Sequence, residues 1–306
     1  MPLATTILMI RPAAFGYNEE TAANNFFQNN SGANRKELQQ KAIAEFDNMV
    51  QLLRNNDVDV LVVDDTAVPP KPDAIFPNNW LSTSPEGKVI IYPMYSSARR
   101  NEKRDDIIEL LTKNFETKDV QDWGEYEAED RYLEGTGSMI IDHDNKLIYA
   151  CLSERTNTVV LEKFASANGY QAIVFLATDK SGNHIYHTNV MMALGEKLCV
   201  LCEESIEEEW ELIAVRQLLD STGHTIVAIT REQMHRFAGN MLELKNKKGE
   251  HLLILSQAAY NSLRPEQKQK IESFARLLPV AIPTIEQTGG GSVRCMMAEI
   301  FLEKRE

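Results

Sequence analysis

One recurrence constrains this chain more than any other feature. A short apolar strand, a polar turn, a second apolar strand, a helix and a third strand return in units whose starts lie about 50 to 60 residues apart. Residues 76–81 lead through the turn 85–88 to a strand at 89–92 and a helix over about 100–114. Residues 139–141 lead through the turn 142–146 to a strand at 147–152, a helix at 157–168 and a strand at 172–177. The same series runs through 190–194, 195–197, 198–202, 207–220 and 225–229, and again through 241–244, 246–250, 251–256, 265–275 and 280–283. At the N-terminus a strand at 6–10, a helix at 35–55 and a strand at 58–63 lack a first strand; the last strand, through Ile300, Phe301 and Leu302, supplies it. The helix shows in Leu38, Ala42, Ile43, Phe46, Met49, Val50 and Leu53, which recur at three- and four-residue steps. The expected fold is therefore α/β, with units of strand-strand-helix-strand around a pseudo-fivefold axis in a single domain over 1–306. The units are 1–70 plus 289–306, 75–130, 131–180, 185–232 and 238–285. Pairing the chain ends closes the ring and protects the sheet edges.

Composition bounds the class. The 306 residues are 43% hydrophobic and 25% charged, as expected of a globular chain with a sizeable core. A formal net charge of −13 argues against nucleic acid as the main partner, since phosphate contacts need a basic face. Glu203-Glu204 and Glu207-Glu208-Glu209 read as a solvated helix face. No apolar run is long enough to span a bilayer, and Met1-Pro2-Leu3-Ala4 lacks the basic start of a secretory signal, so a cytoplasmic chain without a membrane partner is expected. The sequence leaves the oligomeric state open, a homo-oligomer included.

Of the four cysteines, Cys199 and Cys202 have the spacing of a redox or zinc pair. They lie in an apolar run with no second pair and no histidine at ligand spacing, and so read as core thiols, as does Cys151. Cys295 differs, because Gly289-Gly290-Gly291 shortly precedes it and a strand follows. Glycine has no Cβ, so this backbone can pass close to something bulky. Read alone, the run is a turn in front of a buried thiol. The repeat phase changes that reading. Around a fivefold axis the strand starts converge at one end, and they carry Asn79, Glu134, His187, Asn240 and Cys295. Attack on carbon needs a thiolate. An imidazole can take the thiol proton and return one to a leaving amine, and a carboxylate can orient the imidazole or bind substrate N–H groups. Cys295, His187 and Glu134 fit those roles.

Leu133-Glu134-Gly135-Thr136-Gly137, His187-Thr188-Asn189 and Gly289-Gly290-Gly291-Ser292-Val293-Arg294-Cys295 resemble the glutamate, histidine and cysteine motifs of the guanidino-group-modifying superfamily. It includes arginine deiminases, dimethylarginine hydrolases and amidinotransferases. The resemblance covers nearly the whole chain and implies a five-bladed α/β propeller, the pentein fold. It implies a small amino-acid substrate and no metal or organic cofactor. Cys295 would be the nucleophile, His187 the general acid/base, and Glu134 a substrate N–H acceptor that also supports His187. Leu152-Ser153-Glu154-Arg155-Thr156 resembles the deiminase segment whose arginine binds the substrate α-carboxylate, which implies a clamp at Arg155. A planar guanidinium suits that task because it offers two parallel N–H bonds. Ser97-Ala98-Arg99-Arg100 stands where deiminases carry a second clamp, implying Arg99, with Arg100 or a surface role as alternatives. Arg294 either supports the thiolate or forms a salt bridge on the strand face.

Two departures from the deiminase pattern bear on the substrate. Deiminases hold the guanidinium with an aspartate after a Phe-Pro/Thr-Arg motif and another two places after the catalytic histidine. Here Phe76-Pro77-Asn78-Asn79 and His187-Thr188-Asn189 put Asn79 and Asn189 at those places, with Phe76 beside the substrate. Carboxamides remove two negative charges and give a neutral urea both a donor and an acceptor. A buried group left unpaired typically costs about 1–3 kcal/mol, so the change favours a ureido over a guanidino substrate. The run from Tyr186 to Met192 resembles the citrulline-utilisation hydrolases of the superfamily. The expected reaction is attack of Cys295 on the ureido carbon of citrulline, protonation of departing ornithine by His187, and release of carbamate, which decomposes to ammonia and carbon dioxide. A deiminase or amidinotransferase acting on a guanidine is the alternative, and a non-catalytic pentein binding protein the alternative of another class. The polar segment 16–34 either covers the pocket or is a surface loop.

Overall fold

Thr6–Arg11 shows how the chain builds its core. Side chains alternate across a strand, and here both faces are apolar. Ile7 and Met9 pack with Phe46, Leu252 and Ile254 on one side, while Leu8 and Ile10 pack with Leu81, Val89 and Ile107 on the other. Ile148 and Ala150 likewise meet Ile90 and Tyr92, whereas Tyr149 and Cys151 meet Cys199 and Leu201. The core is thus a series of apolar layers, each shared by neighbouring sheets.

The structure, a computed structural model, describes residues 2–22, 24–29, 32 and 34–305. It is a five-bladed α/β propeller of five three-stranded sheets. The first blade joins the two ends of the chain, with Ala298–Ile300, Thr6–Arg11 and Asp59–Asp64. The others contain Leu81–Ser84, Lys88–Ile91 and Asp119–Asp122; Ile140–Asp142, Leu147–Cys151 and Gln171–Phe175; Met192–Leu194, Leu198–Leu201 and Thr225–Ala228; and Leu242–Lys245, His251–Ser256 and Arg276–Val280. In every blade the first two strands are antiparallel and the last two parallel. A parallel pair needs a crossover. The helices Arg35–Asn55, Asp105–Asn114, Thr158–Asn168 and Glu209–Ser221 supply it in four blades, and Gln257–Ser262 with Pro265–Glu272 in the fifth. Asn157 caps Thr158–Asn168 by accepting from the N–H groups of Val159 and Val160. Closure at the ends is specific: Thr6 pairs with Ile300 and Leu8 with Ala298.

The expected ring, unit order and terminal pairing are those of the structure, but several element limits differ, among them Leu81–Ser84 for the expected 76–81, where Pro77–Asn79 forms a helical turn instead. Arg276–Val280 replaces the expected 280–283, because Pro279 is tolerated on an outer strand that has no partner on its far side. Asp119–Asp122 was not expected at all: it is polar and mostly exposed, and only its pairing with Lys88–Ile91 makes it a strand. The last strand is Ala298–Ile300, ending before Phe301 and Leu302. No helix among the described residues is long and apolar enough to cross a membrane.

Phe46 has no exposed surface and joins Arg35–Asn55 to the first blade. Phe46→Ala is expected to lower stability by about 3–5 kcal/mol, read from the midpoint of urea unfolding at an unchanged denaturant slope.

Candidate active site

A short turn precedes the inner strand of each blade. Pro77–Asn79, Gly135–Ser138 and Thr188–Val190 are single helical turns. Bonds from Asn240 N to Phe237 O and from Cys295 N to Ser292 O, 2.9 and 3.0 Å, form the turns of the other two blades that contribute to the site. These turns meet at one end of the ring, so closely that side chains limit one another. A Cβ on Gly137 would lie 2.4 Å from Asn79 Nδ2 and 2.8 Å from His187 Nδ1. Glycine is required there by the close approach.

The glycine run has a related cause. A Cβ on Gly289 or Gly291 would stand 2.9 Å from the ring of Phe76. All three glycines line the cavity, but what presses on them is Phe76 and, at Gly290, Asn25 of the N-terminal segment.

That cavity, of about 20 Å³, is lined by Cys295, His187, Arg99, Arg155, Asn79 and Phe76, together with Asp73, Tyr186 and the N-terminal Thr21, Asn25 and Gln28. Glu134 and Asn189 stand one contact away. Glu134 Oε2 accepts from His187 Nε2 at 2.8 Å, and Asn189 Nδ2 donates to Cys295 Sγ at 3.5 Å. Asn240 also reaches the sulfur, with Nδ2 at 3.3 Å.

Glu134 has no exposed surface and gathers donors. Oε1 accepts from Tyr95 N at 3.0 Å, while Oε2 has Arg155 at 3.6 Å and Arg99 at 4.0 Å besides His187. Burial pushes its carboxyl up, but Arg155, the His187 hydrogen bond and Arg99 together hold it at about 2. Burial pushes His187 down to about 4, against the pull of Glu134. The pair is therefore carboxylate and neutral imidazole near pH 7. A carboxylate only accepts, so His187 carries its proton on Nε2 and keeps a lone pair on Nδ1.

The arginines divide. Arg99 donates to both Glu102 oxygens, to Asn79 Oδ1 at 2.9 Å and to Phe76 O at 3.2 Å, so most of its N–H groups are engaged within the fold. Burial pushes Glu102 up to about 7 despite Arg99. Arg100 turns away to Met94 O and Glu127 and does not line the cavity. Arg155 stacks on Tyr186 and donates Nε and Nη2 to Asn24 Oδ1, with a further bond to Thr21 O at 3.0 Å. Arg294 forms the strand-face salt bridge, 2.7 Å to Glu299, and does not reach the sulfur.

Of the described residues of 16–34, Thr21, Asn25 and Gln28 line the cavity, as the first of the two expected alternatives has it. Asn18 and Thr21 donate to Asp73 Oδ2, and Asn25 donates to the carbonyls of Gly289 and Gly290. Ala23, Asn30, Ser31 and Ala33 lie outside the described residues. The sequence reading missed Asp73, Tyr186 and the side chains of this cover. Asp73 sits in a proline-rich loop without periodicity; its one signal is an acid three residues before Phe76. Among the described residues, no group of three or more histidine, cysteine or acidic side chains is arranged to hold a metal ion. Cys199 and Cys202 are buried in the apolar layers.

A family model described as "N,N dimethylarginine dimethylhydrolase, eukaryotic" matches residues 11–302. The chain belongs to that family. That membership and the shared fold place it in the guanidino-group-modifying pentein superfamily. Solved structures agree in fold at low identity. ArgZ, an arginine dihydrolase from the ornithine-ammonia cycle in Cyanobacteria, superposes with a TM-score of 0.74 at 14% identity over 96% of this chain. The chain spans 40% of the length of ArgZ, and 97% of its separately solved N-terminal domain. Unliganded AgrE gives 0.73 at 15% identity, covering 98% of this chain and 40% of that one. Dimethylarginine dimethylaminohydrolase, as an adduct with S-methyl-L-thiocitrulline, gives 0.64 at 16% identity, covering 97% of this chain and all 100% of that one. No curated protein sequence matches the chain.

The depressed His187 has a consequence for stability. From pH 6.5 down to about 4 the unfolded chain takes up a proton at this position that the folded chain refuses. Stability should therefore fall with pH across that window and hold above it. Urea unfolding of the parent and of His187→Gln at pH 7 and 4 should give the variant a shallower loss, by on the order of 3 kcal/mol.

Proposed function

We propose that the chain hydrolyses the ureido group of L-citrulline to ornithine and carbamate, with Cys295 as nucleophile. The observation that carries this reading is the setting of Asn79. Its Oδ1 accepts from Arg99, and an arginine can only donate, so the oxygen is held on that side. What remains is Nδ2, buried without a partner. A guanidinium also offers only donors and would leave this group unpaired; a urea oxygen would accept from it. The mismatch is worth about 1–3 kcal/mol. The unpartnered Oδ1 of buried Asn189 offers the complementary acceptor for a ureido N–H.

Asp73 and Arg155 suit the two ends of an amino acid. Asp73 Oδ1 is buried without a partner and would accept from the α-ammonium. Arg155 would receive the α-carboxylate on the N–H groups that now bind Asn24. A cavity of about 20 Å³ holds about one water, so the cover formed by Thr21, Asn25 and Gln28 must lift before citrulline enters. The Cys295 proton passes to His187 Nδ1, and sulfur bonds to the ureido carbon as the carbonyl pair moves to oxygen. Collapse expels the ornithine amine, which takes the proton from His187. Water, giving a proton to His187 Nδ1, then adds to the S-carbamoyl carbon, and the S–C bond breaks with its pair returning to sulfur, which recovers the proton from His187. The carbamate so released decomposes to ammonia and carbon dioxide. Glu134 keeps His187 in the tautomer this needs.

A second reading is hydrolysis of arginine, supported by the activity in the name of ArgZ, whose fold this chain shares. Product analysis separates the two. Purified protein given citrulline should form ornithine and ammonia in equal amounts, and Cys295→Ala should form neither. Turnover of arginine with inert citrulline would overturn the proposal. Asn79→Asp keeps the acceptor for Arg99 and loses the donor, so kcat/KM on citrulline should fall roughly 10- to 100-fold while that on arginine does not.

A further inference from the structure

Cys295 Sγ accepts two N–H bonds, both from carboxamides: Asn189 Nδ2 at 3.5 Å and Asn240 Nδ2 at 3.3 Å. Asn240 is 1% exposed and is spent completely. Its Oδ1 accepts from Arg294 N at 3.0 Å, and its Nδ2 also donates to Asn189 O at 2.9 Å. A flipped amide would set N–H against the Arg294 N–H and oxygen against the Asn189 carbonyl. Only one orientation is satisfied, and that one points a donor at the sulfur.

The charged groups around the sulfur leave this donor with work to do. Burial favours neutral His187, whose Nε2–H is spent in a hydrogen bond to Glu134 Oε2. Arg294, the residue before the nucleophile, sends its guanidinium to Met297 O and Glu299. Arg99 and Arg155 are engaged with Glu102 and with the N-terminal cover.

We propose that Asn240 is a catalytic group that holds the Cys295 sulfur by a fixed N–H bond and stabilises its negative charge. The inference rests on Cys295 being the nucleophile. Negative charge stands on Sγ twice in the reaction: after its proton has passed to His187 and before the S–C bond forms, and again when that bond breaks and the pair returns to sulfur. A carboxamide gives up no proton at neutral pH, so Asn240 acts at both points by its oriented N–H alone.

Asn240→Asp is the decisive variant. It keeps the size and the acceptor for Arg294 N–H, and replaces the donor with an anion. The readout is alkylation of Cys295 by iodoacetamide without substrate, followed by mass spectrometry of the peptide containing Cys295, alongside the melting temperature and citrulline kcat. Alkylation and kcat should both fall roughly 10- to 100-fold in a variant that melts near the parent. A merely structural role predicts the reverse, since a loosened site admits the reagent faster. A folded Asn240→Asp that alkylates at the parent rate or faster overturns the inference. Where the aspartate variant does not fold, Asn240→Ser, which keeps a hydroxyl donor, should alkylate several-fold faster than Asn240→Ala; equal rates also overturn it. The test reads sulfur directly, so it is distinct from failure of the parent reading, which would appear as ornithine formation surviving Cys295→Ala.

Discussion

The site depends on one buried carboxylate. Glu134 has no exposed surface, and an ionised carboxyl in such a place is costly unless its oxygens are met. It is met from several blades: Tyr95 N from the second, Arg155 from its own, and His187 from the fourth. The attraction of these donors and of Arg99 outweighs burial. The carboxylate thereby sets the tautomer of His187 and holds Arg155 close to the cavity. Bonds such as Glu134 N to Arg155 O at 3.3 Å and Ser153 Oγ to Tyr186 O at 2.8 Å join the same loops, so the electrostatics of the centre and the closure of the ring support each other.

Around that charged centre the chain places amides where more charge would be expected. Asn79 turns its oxygen to Arg99 and leaves a free donor, and Asn189 and Asn240 donate to the thiol. Carboxamides cannot balance a cation, but they supply directional donors and acceptors without adding charge to a nearly dry cavity.

The fold was legible because its signal is periodic. Strands such as Thr6–Arg11 are apolar on both faces, and the helix Arg35–Asn55 has an unmistakable stripe. The elements misread were those whose stability comes from a neighbour. Asp119–Asp122 has little apolar character and exists by pairing with Lys88–Ile91, and Pro279 is allowed by an outer edge. In the site, the expected residues of the converging strand starts all meet, because the repeat phase is a property of the sequence. Residues of irregular segments were harder to place: Asp73 obeys no period, and the sequence left open whether 16–34 covers the pocket.

By itself the sequence determined the ring, the order of its blades, and the set of chemical groups delivered to one end of its axis. It also determined the exchange of carboxylates for Asn79 and Asn189. The tertiary structure decided how those groups are used. It spent most of the hydrogen bonds of Arg99 on Glu102 and Asn79, turned Arg294 to Glu299, and brought Asn240 onto the sulfur of Cys295. The physical reason is range. Periodicity and motif spacing are local properties that residue order encodes directly, whereas the free end of an arginine or an asparagine is assigned by whichever partners the folded chain leaves within 3 to 4 Å of it.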